Sequence, residues 1–190
     1  QTSSGDHLIS RDEALDLIKK HIKDDKIIKH LLAVESIMRA LAKRLGEDED
    51  LWGLVGLLHD LDYEIVGKDL NKHGLITAEI LKDKLPSEAL RAIMAHNELT
   101  GVKDDSRLAI ALRAADQVSG LIVATALVMP HKKLEEVKVF SLRKKFKQKD
   151  FARGVKRDKI LLIENLGISL NEFLELALKA MQSIHDQLGL

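Results

Sequence analysis

The chain has 190 residues, 45% apolar and 32% charged, which is enough for one domain with a substantial core. Lys plus Arg equals Asp plus Glu at 30 each, so no global field favours a nucleic-acid polymer or an acidic membrane surface. There is no cysteine; this excludes disulfides, thiolate metal sites, iron–sulfur clusters and cysteine nucleophiles together, and it fits a cytoplasmic protein.

The start, QTSSGDH, is polar and small with no apolar leader run, and residues 1–9 read as a disordered or expression-derived end. From residue 10 onward apolar residues recur at helical spacing, which predicts an all-α fold. Ser10 and Glu13 form a capping box that opens a first helix through Ala14, Leu17 and Ile18. A second helix is expected from Asp25 to Leu45, stopped by Gly46, and a third from Asp48 through Leu51, Trp52, Val55 and Leu58 into His59-Asp60. A fourth is expected over Leu70 to Lys84. Pro86 suits the first turn of a fifth that ends near Asn97.

Asp105 or Ser106 opens a sixth helix, long and apolar, which reaches Met129 before Pro130. Its longest apolar run, residues 120–130, is about half of the roughly 20 residues that span a bilayer, so no membrane segment is expected. Residues 132–159 are rich in Lys and Arg. A second capping box, Ser169 with Glu172, then opens a closing helix. The expected organisation is a single domain over residues 10–190, with a motif core at about 25–125 and a C-terminal helical extension at about 131–190.

The chemistry sits where polar residues interrupt core-type sequence. His30 follows Ile27-Ile28, and His59-Asp60 follows Leu57-Leu58. His73 precedes Leu75-Ile76, His96 follows Ile93-Met94-Ala95, and Asp116 follows 108-LAIALRAA-115. Charge at the inner end of an apolar helix is costly unless it is paired or bound to a cation. Several helices each bringing one ligand to a common point make the metal site of a helical bundle. Any one of these residues alone fits a satisfied core histidine or a buried acceptor; the joint pattern points to metal. His7, His21, His131 and His185 stand in charged or terminal surroundings and read as surface residues.

The order His30 … His59-Asp60 … Asp116 resembles the H…HD…D signature of the HD-domain superfamily of metal-dependent phosphohydrolases. His73 and His96 match the two extra histidines of its two-metal branch. The resemblance covers roughly residues 25–125 and is strongest to small bacterial hydrolases of that superfamily. The cyclic-di-GMP phosphodiesterase branch fits less well, because HDLDYE lacks the lysine after HD and no Gly-Tyr-Pro follows. The HD type of diadenosine tetraphosphate hydrolase shares the ligand order and the length.

The resemblance implies a first ion on His30, His59, Asp60 and Asp116. Asp60 would bridge to a second ion on His73 and His96. Imidazole and carboxylate donors suit one or two divalent transition-metal ions: Fe, Mn, Zn, Co or Ni. The expected reaction is hydrolysis of a small phosphate ester, a nucleotide, by hydroxide generated from a metal-bound water. A di-iron oxygenase of the same ligand pattern, or a non-catalytic metal-stabilised module binding a nucleotide or a partner, is the alternative. Further candidates are Glu64 and Asp62 as acid/base groups or holders of water, against the alternative of a solvated helix end, and Asn97 and Glu98 as supports for His96. Lys144, Lys145, Lys147, Arg153, Lys156 and Arg157 are candidates to grip substrate phosphates, Lys145 and Arg153 foremost, against the alternative of a solvated basic face.

Overall fold

A computed structural model describes residues 8–190, and among them every regular element is helical. The capping box at Ser10 and Glu13 forms and starts α1, Arg11–His21. In α2, Asp25–Leu45, the buried Leu31, Val34, Met38 and Leu41 recur at helical spacing, and Gly46 ends the helix with φ 72°. Asp48 caps α3, Glu49–Leu58, whose body from Trp52 to Leu58 is buried throughout. Ile9 does not belong to the disordered or expression-derived end expected over residues 1–9. Ile9 is buried and its N–H donates to the Lys84 carbonyl, while residues 1–7, His7 included, lie outside the described residues.

α3 lies closely against α2, and small residues permit the approach. A Cβ on Gly56 would stand 2.9 Å from the Val34 carbonyl oxygen and 3.0 Å from the Glu35 Cα, both backbone atoms. This contact carries the end of α3 to a fixed height on α2, and His59 follows at its C-cap.

The expected fourth helix is broken. A short helix α4, Tyr63–Val66, and a 3-10 turn, Leu70–Lys72, precede His73, and α5 covers only Leu75–Ile80. The break is at Gly74, whose φ of 96° no continuous helix accommodates and which sits 3.2 Å, measured from a would-be Cβ, from the Ile93 carbonyl. α6, Ser87–Ala95, follows Pro86 and ends at His96.

The long α7, Arg107–Leu127, is capped by Ser106 and stops before Met129. By length and composition it could cross a membrane, yet two thirds of its most apolar window is buried inside the fold. It packs against α2, α3 and α6, and Asp116 sits midway along it.

The basic segment forms α8, Val139–Lys147, and α9, Arg157–Leu161; α10, Leu170–Gln182, and α11, His185–Leu188, close the chain. Only half of the second capping box forms as such. The Ser169 hydroxyl accepts from the Glu172 N–H, while the Glu172 carboxylate accepts from Arg44 at 2.6 Å, tying α10 to α2. Side chains of the C-terminal helices, among them Ile160, Phe173, Leu174 and Met181, join the same apolar core as α2, α3 and α7.

Candidate metal centre

His59 and His96 both occupy helix C-caps, where the carbonyls of the last turn have no partner within the helix. Each imidazole uses one. His59 Nδ1 donates to the Gly56 carbonyl at 2.7 Å, and His96 Nδ1 donates to the Ile93 carbonyl at 2.5 Å. His73 Nδ1 donates to Asp62 Oδ1 at 2.7 Å. The Ser119 hydroxyl donates to the Asp116 carbonyl, which leaves its oxygen facing His30 Nδ1 at 3.4 Å. All four rings are therefore anchored through Nδ1, and each turns Nε2 toward a carboxylate.

Those Nε2 atoms meet Asp60 and Asp116. His30 lies 2.8 Å from Asp116 Oδ1 and 3.2 Å from Asp60 Oδ2; His59 lies 3.0 Å and 3.3 Å from the same two atoms. His73 and His96 lie 3.0 Å and 3.1 Å from Asp60 Oδ1. Two groups result, His30–His59–Asp60–Asp116 and Asp60–His73–His96, and within each the ligand atoms lie within 4.8 Å of one another. Asp60 belongs to both, with one oxygen toward each. The rings of His59 and His96 are 5.0 Å apart, so the groups adjoin.

Electrostatics suit a cation there. Burial opposes charge on His30, but its hydrogen bonds to Asp116 and Asp60 prevail and raise its pKa to about 9. His73 is raised to about 9 in the same way, against burial, by Asp60 and Asp62. His59, fully buried, is raised well above the usual histidine range because Asp60 and Asp116 outweigh its desolvation. Burial works against charge on Asp60 and Asp116 as well, yet the facing histidines hold both carboxyls well below their usual range. The carboxylates thus draw protons onto the imidazoles. Divalent ions can take the place of those protons, because neutral imidazole and carboxylate are the donors that transition metals prefer. The residues fit one or two such ions.

Other expected residues have other duties. Asp62 is fully buried and accepts from His73 Nδ1, the Gly74 N–H and the Thr77 N–H, so it fixes a ring and starts α5. Burial opposes its charge, but these bonds keep its pKa below the ordinary carboxyl value. Asn97 donates to the carbonyls of Leu70 and His73, fastening the turn that carries His73.

Glu64 does not join the cluster. It is exposed, and its carboxylate accepts from the backbone N–H groups of Lys23 and Asp24 just ahead of α2. The helix expected to carry it past Asp60 is interrupted by a turn, so the spacing that suggested a catalytic role does not hold.

Among the basic candidates, Lys144, Lys147 and Arg153 are exposed on the surface, and Lys145 places its ammonium 4.6 Å from the Phe151 ring centre. Arg157 spends its guanidinium on carbonyls of its own segment, among them Phe146, Ala152 and Phe151. Lys156 instead lines a cleft of about 420 Å³ over the centre, together with Asp60, His73, His96, Asp116 and Lys159. Lys159 was hidden in the sequence by the many lysines around it. Tyr63, edge-on to His73 at 5.4 Å, and Gln117, whose amide donates to Asp116 Oδ2 at 3.2 Å, also escaped the sequence reading. His131 and His185 are exposed as expected, and His21 is half-buried.

The interiors of α2 and α7, the ends of α3 and α6 and the break before α5 thus deliver the ligand order of the motif to one point. The family model for the HD domain matches residues 27–121, half of the chain, and spans His30, His59, Asp60, His73, His96 and Asp116. The chain belongs to the HD-domain family. It is 35% identical over 99 residues to ribonuclease Y of Lawsonia intracellularis (strain PHE/MN1-00), a match covering 50% of this chain and 18% of that protein. It is 34% identical, with the same coverage, to ribonuclease Y of Oleidesulfovibrio alaskensis (strain ATCC BAA-1058 / DSM 17464 / G20). The chain therefore spans less than a fifth of these relatives. No solved structure matches it. The HD-domain family is one of metal-dependent phosphohydrolases, and the His/Asp groups here could hold divalent metal.

Proposed function

We propose that this HD-domain protein is a metal-dependent phosphohydrolase acting on a small phosphate ester, a nucleotide. The observation that carries the reading is the division of Asp60 between two ligand groups whose imidazoles are all anchored through Nδ1. His30, His59, Asp60 and Asp116 would hold one ion, and Asp60, His73 and His96 a second. Bound there, divalent ions supply Lewis acidity toward a phosphoryl oxygen and lower the pKa of water to about 7.

The chain's own residues set up that chemistry. Asp62 keeps the proton of His73 on Nδ1, so Nε2 stays a donor pair in the neutral ring. Gly56 and Ile93 do the same for His59 and His96 through their carbonyls. Gln117 holds the outer oxygen of Asp116, which leaves Oδ1 for the cluster. The cleft suits a small ligand rather than a polymer lying flat, and its lysines suit an anionic one. We place the reaction in the cytoplasm, a reading supported by a sequence free of cysteine. The relatives' name, ribonuclease, supports phosphoester chemistry without fixing this chain's substrate.

The test is a screen of metal-loaded protein over phosphomonoesters, nucleotides, dinucleoside polyphosphates and a short oligoribonucleotide, with and without dioxygen. Hydrolysis that persists without dioxygen and stops on chelation is expected. Dioxygen-dependent turnover, or full metal occupancy with no hydrolysis of any ester, would overturn the reading.

A further inference from the structure

Among the described residues, Lys159 is the only buried lysine, and it is buried against the rim of the metal centre. An ammonium carries three donors and is costly to remove from water. The partner it has is Glu98 Oε1 at 3.0 Å, from a side chain that is itself 69% exposed. A pair with one partner in solvent is weak, so Glu98 can leave at little cost. Lys156 lines the same cleft as Lys159 and Glu98, so both lysines face one space.

Both also adjoin the ligand cluster in the fold. Glu98 lies two residues after His96. The Lys156 N–H donates to Gln117 Oε1 at 2.9 Å, and the Gln117 amide in turn donates to Asp116 Oδ2. Val155 packs on α7 closely enough that a Cβ on Gly120 would lie 3.3 Å from it. Lys159 is therefore buried at the cleft and the backbone of Lys156 is tied to its wall, with the Lys156 side chain exposed; both come from beyond the residues that define the family. The cleft they share with Asp60 and Asp116, about 420 Å³, has the room of many water molecules at about 30 Å³ each, far more than one orthophosphate fills.

We infer that Lys159 and Lys156 form an anion subsite for a second phosphoryl group of the substrate, beside the one attacked at the metal centre, and that Glu98 occupies Lys159 until substrate displaces it. This rests on the phosphohydrolase reading and narrows it to compounds with two or more linked phosphoryl groups. Lys159 is a positioning residue of substrate recognition in this scheme, and Glu98 is its exchangeable counter-ion.

The test compares methylenediphosphonate, with two phosphoryl-like groups, and methylphosphonate, with one. Both are titrated calorimetrically into the full chain as purified, with its metal content recorded. Lys159→Gln should weaken methylenediphosphonate binding by roughly 10-fold, the scale of one lost charged hydrogen bond, and change methylphosphonate binding little. Lys159→Met, which keeps the apolar stem, should do the same. Glu98→Gln should tighten methylenediphosphonate by removing the competitor. A purely structural lysine would lower the melting temperature while leaving the ratio of the two affinities unchanged, and that result overturns the subsite. So does a wild-type chain that prefers methylphosphonate, or a Glu98→Gln variant that binds the diphosphonate no better. Loss of the phosphohydrolase reading would show separately, as absent ester hydrolysis or absent metal in a chain that still discriminates the two probes.

Discussion

Replacing Asp62 by alanine should damage both the fold and half of the metal centre. The carboxylate is fully buried and accepts three hydrogen bonds: 2.7 Å from His73 Nδ1, 2.7 Å from the Gly74 N–H and 2.9 Å from the Thr77 N–H. Alanine leaves two buried backbone donors without partners, at about 1–3 kcal/mol each, and frees the ring of His73. Breaking a buried charge-assisted set by removing one side costs about 3–5 kcal/mol, and a water admitted to the vacated space would bring the loss to the lower end. Asp62→Asn keeps one oxygen acceptor and should lose roughly half as much. Urea denaturation of metal-free protein measures the fold effect, and metal analysis of loaded protein measures the second ion, which should be weakened first. An alanine variant destabilised by under about 1 kcal/mol, with metal content unchanged, would refute the role given to Asp62.

Gly56→Ala places a methyl 2.9 Å from the Val34 carbonyl, so α3 must shift on α2; a loss of about 1–3 kcal/mol in urea denaturation and weaker metal binding are expected together. Because His30 and His73 hold protons up to about 9 in the metal-free chain, their pairs with carboxylates stabilise it fully below the unfolded value of about 6.5. That contribution is lost as pH rises through about 9, whereas metal affinity should rise over the same interval, with proton release seen by calorimetry in buffers of different ionisation enthalpy. Glu64→Ala removes acceptors for the Lys23 and Asp24 N–H groups and should cost about 1 kcal/mol of stability with metal content unchanged.

Much of the ligand set could be read from the chain because burial made it conspicuous. His59-Asp60 after seven residues of core helix, and Asp116 inside α7, are polar where the period demands apolar, and the structure brings them to one point. What holds them was less legible. Asp62 looked like a second acid/base candidate because its partners, Gly74 and Thr77, lie on a segment that the apolar period extends into one long helix. The positive φ of Gly74 breaks that helix, and periodicity carries no trace of it. Glu64 takes the exposed position that its alternative reading allowed rather than the acid/base role, since turns after Leu58 carry it toward the start of α2. In the basic segment, lysine abundance concealed which of them turns inward. Only tertiary packing against α7 buries Lys159 and brings the still exposed Lys156 to the cleft, away from Lys144, Lys147 and Arg153.

Metal stoichiometry of the wild-type chain and of Asp60→Asn, measured side by side after identical loading and dialysis, tests the central claim most directly. Asp60 offers one oxygen to His30 and His59 and the other to His73 and His96, so the charge it carries serves both groups. The account predicts two ions per wild-type chain and at most one in Asp60→Asn, with a matching loss of hydrolysis. An asparagine variant that keeps both ions and undiminished turnover, or a wild-type chain that takes up none, would contradict it.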